Sequence, residues 1–199
     1  MKDTLDFSKC PHPLIGVDEV GRGCLAGPVT AAAVIFSEGV TSSFYDDSKK
    51  IKEEQRELLA DEIQKIHRVG LGWATVQEID TYNILQATFM AMRRALKALD
   101  VQTGTILIDG RDRIPKLDSF QQVPIIKGDQ KVRLISAASI VAKVARDQFM
   151  KKLASEVGPY GFEKHKGYGT AYHRGQIQKM GPCVWHRQTF GGVKEFIKN

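Results

Sequence analysis

Hydrophobic and polar positions follow two different periods along this chain, which predicts both strands and helices. Short apolar runs at 14–17 and 29–36 indicate strands, and the Gly-Pro pair at 27–28 indicates the turn between them. Apolar residues in 83–99 recur at three- and four-residue steps, which is typical of a helix with one buried face. Further strands are predicted at 70–76, 105–108 and 123–126, further helices at 51–69, 131–153 and 170–180, and a last turn at 193–198.

The order of these elements predicts an α/β fold with a mixed sheet of five strands and helices on its faces. Short early connections favour antiparallel neighbours, and the helix between the third and fourth strands favours a crossover. No repeat, linker or low-complexity tract interrupts the 199 residues. We therefore expect a single domain over 1–199, with a helical C-terminal portion from about residue 155.

Composition narrows the classes of protein. A hydrophobic fraction of 42% can fill an ordinary core, and no apolar run approaches the roughly 20 residues that span a bilayer. The first residues, MKDTLDFSKCPHP, lack the apolar region of a secretory signal. Three cysteines without a CxxC pair argue against a disulfide framework or a zinc site. We expect a cytoplasmic monomer without membrane contact.

The charge distribution points to a polyanionic partner. The formal net charge is +6, and the basic residues fall into three groups, the last of them interleaved with aromatic residues. Clustered cations with aromatic neighbours are typical of a nucleic-acid surface. The groups are Lys49, Lys50 and Lys52; Lys127, Lys131, Arg133, Lys143 and Arg146; and Lys164, His165, Lys166, His173 and Arg174.

Acids stand where three predicted strands end. Asp18 and Glu19 follow the first strand, Asp109 precedes Gly110, and Asp129 follows Gly128. If the first and fourth strands are parallel neighbours, about 4.8 Å apart, Asp18 and Asp109 face each other. Such a pair of carboxylates repels unless it is protonated or bridged by a cation, and hard oxygen ligands suit Mg²⁺ or Mn²⁺.

Two alternatives limit this interpretation. Consecutive strand residues point to opposite faces, so Asp18 and Glu19 can share one metal only if the strand ends there, as Gly21 permits. An isolated Asp-Gly pair is usually only a turn, and Asp129 could simply be the N-cap of the helix that follows.

Six motifs resemble the ribonuclease HII family, in the family's order and at similar spacing. The similarity runs from about Leu14 to Val193. The motifs are GVDEVGRG at 16–23, DSKK at 47–50, LIDG at 107–110, KGD at 127–129, SAASIVAKVARD at 136–147 and HKGYGT at 165–170.

The resemblance implies a ribonuclease-H-like fold and an endonuclease that cuts RNA paired with DNA. It also implies incision on the 5′ side of a single ribonucleotide in duplex DNA, with Mg²⁺ or Mn²⁺ as cofactor. The family's four catalytic acids fall on Asp18, Glu19, Asp109 and Asp129. Its substrate-reading turn falls on Gly21, Arg22 and Gly23, its tyrosine falls on Tyr168, and its contacts to DNA-side phosphates point to Lys49, Ser139 and Lys143.

Physical chemistry gives these residue types a role in that reaction. Glycines let the backbone approach a substrate, and backbone groups can bond the 2′-hydroxyl that distinguishes RNA from DNA. Arg22 can add a phosphate contact. Tyr168 offers a flat ring against the deoxyribose after the ribonucleotide, although a loop aromatic packed on the C-terminal helix would look the same in sequence.

Several positions depart from the family pattern. Cys24 follows the Gly-Arg-Gly turn in place of another small residue, and Arg111-Asp112 follow the LIDG motif where asparagine is common first. Gln188 stands where arginine is frequent, which puts a phosphate contact there in doubt. The residues before Leu14 show no extra domain of the ribonuclease HIII kind, and the last residues, KEFIKN, show no clamp-binding motif.

Three other functions fit parts of the pattern. Another metal-dependent nuclease of the same fold, such as a ribonuclease HIII-like or transposase-like enzyme, would share the acids. A non-catalytic hybrid-binding protein would not need all four. A nucleotide hydrolase would need a phosphate loop, and no GxxxxGK[ST] motif is present.

Overall fold

The computed structural model describes residues 5–38, 45 and 51–197, and contains one five-stranded sheet. The strands are β1 (Leu14–Val20), β2 (Val29–Ile35), β3 (Arg68–Ala74), β4 (Gly104–Asp109) and β5 (Phe120–Ile125), in the order β3-β2-β1-β4-β5. β1 pairs antiparallel with β2, and β2 with β3, whereas β1–β4 and β4–β5 are parallel. The predicted mixed sheet is confirmed.

Six helices accompany the sheet in the described part of the chain. They are α1 (Glu53–Ile66), α2 (Val76–Ala98), α3 (Gly128–Lys131), α4 (Arg133–Ala154), α5 (Phe162–His165) and α6 (Ala171–Met180), followed by a 3-10 turn at Lys194–Phe196.

Helix α2 begins earlier than its hydrophobic period predicts. Thr75 caps it, because the Thr75 side chain accepts from the Glu78 N–H while the Glu78 carboxylate accepts from the Thr75 N–H. Asn83 interrupts the helix with φ 68°, and its side chain caps the next turn by accepting from the N–H groups of Leu85 and Gln86. The helix predicted from residue 83 is therefore the second part of a longer, kinked helix.

The predicted helix over 131–153 is divided. The short helix α3 ends at Lys131, and the extended backbone of Val132 separates it from α4. Helix α5 was not predicted, since four residues are too few to show a helical period.

The sheet is buried on both faces. Ile15, Val17 and Ile106 pack with α2 on one face, and Leu107, Ala32 and Val34 pack with α1 and α4 on the other. Helices α5 and α6 follow α4, and Phe162 packs with Met150 and Ala26 in a smaller cluster. The single-domain organisation stays a prediction.

None of the helices in the described part of the chain is both long enough and apolar enough to cross a membrane.

Glycines allow α2 to lie unusually close to β3. A Cβ at Gly72 would lie 2.0 Å from the carbonyl oxygen of Ala91, and one at Gly70 would lie 2.1 Å from that of Ala95. Both obstacles are helix backbone, which cannot rotate away as a side chain could. The helix–sheet spacing in this layer therefore depends on the absence of side chains at these positions.

We expect Gly72→Ala to destabilise the protein by about 1–3 kcal/mol, because the added methyl overpacks this contact. Gly175→Ala is the control for overpacking, since a Cβ at Gly175 in α6 would have nothing within 4 Å. Alanine also favours helices more than glycine does. Urea unfolding of both variants measures the difference. Equal stabilities would contradict the packing argument.

Candidate active site

The site lies where the pairing between β1 and β4 ends. Pairing of β1 with β4 ends at Val17–Ile108, so Asp18 and Asp109 are the next residues on adjacent parallel strands. On its other side β1 continues to pair with β2 as far as Val20. Beyond Val17, β1 therefore has a strand partner on one side only, and Asp18 and Glu19 lie where the other partner is missing.

A cavity of about 330 Å³ occupies this opening. Asp18, Glu19 and Asp109 all line it. Both Asp18 and Glu19 line the cavity although β1 continues past them to Val20, because β4 no longer pairs with β1 beyond Val17. That the two acids share one metal stays a prediction. The other predicted residues on the cavity wall are Gly21, Arg22, Gly23, Ser139, Lys143 and Tyr168.

Asp18 is the most strongly perturbed acid. Asp18 is only 5% exposed. Burial, together with the charges of Glu19 and Asp109, raises the pKa of Asp18 well above its ordinary value. Hydrogen bonds from the Ser139 side chain and from the Glu19 N–H, the latter at 2.7 Å, partly compensate the pKa shift. Ser139, predicted near phosphates, thus bonds Asp18.

Glu19 is held by the turn that follows it. Burial raises the pKa of Glu19, while the Arg22 guanidinium, 3.3 Å from its carboxylate, lowers it. The side chain of Arg22 is 46% exposed, so it can reach a substrate from this position.

Asp109 and Asp129 are linked through Gly128. The Oδ1 of Asp109 accepts the Gly128 N–H at 2.7 Å. Asp129 is buried in the first turn of α3 and is not among the residues that line the cavity. The alternative that Asp129 is the N-cap of the long helix was wrong, because Val132 holds that position.

Lys143 and Tyr168 line the same cavity as the acids. The Lys143 ammonium lies 2.7 Å from the Asp147 carboxylate and 5.9 Å from the centre of the Tyr168 ring. Tyr168 is 41% exposed, and its backbone pairs with that of Cys24. Lys49 lies outside the described residues.

The structure corrects the charge pattern. Arg146 and His173, counted among the basic surface groups, are completely buried, and Lys166 is nearly so. Arg146 donates to the carbonyl oxygens of Ala26, Pro28 and Lys166 instead. A run of charges in sequence does not show which of its members the tertiary contacts turn inward.

Two functional candidates escaped the sequence reasoning. Arg56 of α1 lines the cavity, and its guanidinium donates to the Ile51 carbonyl at 2.6 Å. Arg187 is fully buried and donates to the carbonyls of Gly21 and Arg22. Arg187 could not be found in sequence, since it lies more than 160 residues away from the turn that it contacts.

The acids have the chemistry of a Mg²⁺ or Mn²⁺ site, because they supply hard oxygen donors in a shared, partly desolvated space. Their mutual repulsion is also what a cation would relieve. Over 5–38, 45 and 51–197, however, no three His, Cys, Asp or Glu side chains already stand close enough to hold an ion. The donor set fits the metal chemically without being gathered around it.

A sheet of this order, with acids at the carboxyl ends of β1 and β4, defines a ribonuclease-H-like nuclease. A family model described as Ribonuclease HII matches residues 15–192. The chain belongs to the ribonuclease HII family and is a type 2 ribonuclease H.

Curated relatives agree over most of their length. The Ribonuclease HII of Pelagibacter ubique is 43% identical over 92% of this chain and 98% of its own. The Ribonuclease HII of Geotalea daltonii is 48% identical over 94% of this chain and 86% of its own.

Solved structures confirm the fold. RNase HII from Archaeoglobus fulgidus, in complex with PCNA, has a TM-score of 0.77 and 26% identity over 89% of this chain and 95% of its own. Ribonuclease H2 from Pyrococcus horikoshii has a TM-score of 0.75 and 25% identity over 92% and 96%. Bst-RNase HIII in complex with Mn²⁺ shares the fold at 19% identity, with a TM-score of 0.71 over 92% of this chain and 68% of its own.

We expect Asp18→Asn to raise the melting temperature in chelator, because it removes a carboxylate that burial and neighbouring charges disfavour. The folded pKa of Asp18 is raised, so the ionised form costs stability above the unfolded pKa of about 4. The advantage of the asparagine variant should grow as the pH rises from there, and level off above the folded pKa. Melting curves across pH measure it.

Asp112→Asn is the control for this measurement, since Asp112 is an exposed acid. An advantage of Asp18→Asn that is the same at every pH would show that the charge of Asp18 is not its cause.

Proposed function

We propose that this ribonuclease HII cuts the RNA strand of RNA–DNA hybrids and incises 5′ to single ribonucleotides in duplex DNA. The observation that carries the proposal is the single cavity that brings together Asp18, Glu19 and Asp109, the Gly-Arg-Gly turn and Tyr168. Acids alone would suit any metal-dependent nuclease of this fold. A backbone turn and an aromatic ring on the same wall suit recognition of the sugar.

We propose that Asp18, Glu19, Asp109 and Asp129 hold divalent cations, Mg²⁺ or Mn²⁺. Such ions, when bound, supply an activated water and stabilise the charge on the leaving oxygen. Asp129 is buried and follows Gly128, whose N–H bonds the Asp109 carboxylate, so this hydrogen bond connects its backbone to the other acids. Ser139 acts through its hydrogen bond to Asp18, which supports the ionised carboxylate.

The Gly-Arg-Gly turn reads the ribose, and its two glycines serve different purposes. Gly21 has φ +95°, and a Cβ there would lie 2.2 Å from the Arg146 side chain. Glycine is therefore required at position 21 by the backbone conformation and by Arg146, whether or not substrate is bound. Gly23 is exposed with nothing within 4 Å of a Cβ, so only a bound substrate would meet a side chain there.

Tyr168 and Lys143 face the DNA side of the junction in this proposal. The half-exposed ring packs against the deoxyribose that follows the ribonucleotide, where a 2′-hydroxyl would crowd it. Lys143, Lys49 and Arg56 contact phosphates, with Lys143 released in part from Asp147. Their contribution should weaken with salt.

The partners are RNA–DNA hybrid and ribonucleotide-containing duplex DNA, and we propose a monomer. The three cysteines are all free, which supports a reducing cytoplasm. No second function is favoured by a specific observation.

We expect Asp109→Asn to lower the cleavage rate by at least a hundredfold, because it removes a hard ligand from the proposed metal site. Chelator should abolish cleavage by the unmodified protein, and Mg²⁺ or Mn²⁺ should restore it. A duplex with one ribonucleotide is the substrate, and an all-DNA duplex and Asp112→Asn are the controls. Full activity of Asp109→Asn, or equal cleavage of both duplexes, would refute the assignment.

We expect Gly23→Ala to impair cleavage at the ribonucleotide by roughly tenfold or more with little change in stability, since its methyl projects only toward the substrate. Gly21→Ala should lower stability as well, because its methyl meets Arg146. Single-turnover rates and urea unfolding separate the two effects. Wild-type rates for Gly23→Ala would mean that the substrate does not approach this turn.

A further inference from the structure

Residues 183–187 bond to the chain that follows the Gly-Arg-Gly turn, and that chain also bonds to the Tyr168 loop. The Arg187 N–H donates to the Leu25 carbonyl at 2.8 Å, and the Leu25 N–H donates to the Gly167 carbonyl at 2.8 Å. The Gly27 N–H donates to the Trp185 carbonyl at 2.9 Å. The chain after the Gly-Arg-Gly turn is thus bonded both to the Tyr168 loop and to this C-terminal segment.

Arg187 anchors the turn from beneath. It is fully buried, and its guanidinium donates to Arg22 O at 2.8 Å, to Gly21 O at 2.7 Å and to Gly27 O at 2.9 Å. Burial lowers the pKa of Arg187 to about 10, which leaves the group charged at neutral pH. A buried charge is costly unless hydrogen bonds satisfy its donors, and these carbonyl oxygens satisfy the donors of Arg187.

The direction of the Gly21 and Arg22 carbonyls determines where the N–H groups of the turn point. In a trans peptide the carbonyl of one residue and the N–H of the next point opposite ways. Because Arg187 draws the Gly21 and Arg22 carbonyls inward, the N–H groups of Arg22 and Gly23 point outward. Within the described residues neither N–H donates to a protein acceptor, and both residues are exposed on the cavity wall.

A chain of hydrogen bonds from His186 reaches the Tyr168 loop. The Cys183 N–H donates to Nδ1 of His186 at 2.9 Å, so that nitrogen carries no proton. Nδ1 of His173 lies 2.9 Å from the Tyr168 carbonyl, so it must carry one. The Nε2 atoms of the two rings are 3.0 Å apart, and His186 is therefore the donor and His173 the acceptor.

Neutral rings are required for this arrangement. A second proton on His173 would set two donors against each other across the 3.0 Å contact, and one on His186 would set its Nδ1–H against the Cys183 N–H at 2.9 Å. Burial lowers the pKa of both His173 and His186 to about 4, which keeps them neutral at pH 7. Every donor and acceptor in the chain from Cys183 to Tyr168 is then matched.

We propose that His186 and Arg187 are positioning residues that set the two substrate-reading elements relative to each other. Arg187 aims the N–H groups of the Gly-Arg-Gly turn at the ribose, and His186 holds Tyr168 through His173. The proposal rests on the proposed function, since it assumes that the turn and Tyr168 contact the sugars. Neither residue touches the substrate.

The turn is tested with Arg187→Lys, which keeps the charge and loses the fork of donors. Single-turnover rates are measured on two duplexes, one with a ribose and one with a 2′-fluoro sugar at the same position. We expect the preference of the unmodified protein for ribose to shrink by roughly tenfold, because a misaimed N–H no longer recognises the hydroxyl oxygen. An equal loss on both sugars would overturn the role of Arg187.

The tyrosine side is tested with His186→Asn, made both in the unmodified protein and in a Tyr168→Ala background. We expect a loss of roughly tenfold in the first and less than threefold in the second, since the residue acts through Tyr168. Equal losses in the two backgrounds would overturn the role of His186. The His186→Asn experiment still tests the role of His186 if the Arg187→Lys variant does not fold.

Leu99→Ala is the control for a merely structural effect, because Leu99 is buried at the C-terminal end of α2 and does not line the cavity. It should lower stability while leaving the sugar preference and the rate per folded molecule unchanged. The same change of preference in Leu99→Ala would overturn the positioning proposal. If the unmodified protein shows no preference for ribose, both the proposed function and the positioning proposal are overturned. If the unmodified protein prefers ribose and the variants behave otherwise than expected, only the positioning proposal is overturned.

Discussion

The site depends on the end of one strand pairing. β4 stops accompanying β1 after Val17–Ile108, and β2 continues beside β1 for three more residues. This offset creates a space with Asp18 on one strand and Asp109 on the next, both at carboxyl ends. Asp18 is buried, so that repulsion between the acids is not screened as it would be at the surface. A cavity that favours a cation follows from the sheet's geometry.

The second requirement is a rigid turn next to that cavity. A turn with exposed N–H groups and inward carbonyls is not stable alone, because its carbonyls lose water when they are buried. Arg187 supplies the missing donors to Gly21 and Arg22, and it also donates to Gly27. Arg146 donates to Ala26 and Pro28 in the chain that follows the turn. Arg187 thus gives the C-terminal segment a direct connection to the chemistry of β1.

Prediction from sequence succeeded where a local period or cap carried the signal. All five strands were located, and the helix predicted over 51–69 contains α1. It failed where the local signal was weak or absent, as in the four-residue helix α5 and in the kink at Asn83. The acids were found because carboxylates after apolar strands are unusual, and the resemblance supplied Tyr168 and the glycine turn. Arg56 and Arg187 look like ordinary surface charges in sequence.

The sequence by itself determined the residue types of the site, the mixed sheet and the family to which the chain belongs. Apolar periodicity and motif order are local properties, so they can be read along the chain. Only the tertiary structure decided that Asp18 and Glu19 share one cavity and that Asp129 is buried beside it. It also decided that Arg146, His173, His186 and Arg187 lie inside the protein. The reason is physical: burial and hydrogen-bond direction depend on residues that are distant in sequence, and a charged side chain turns inward only when folding brings it enough partners.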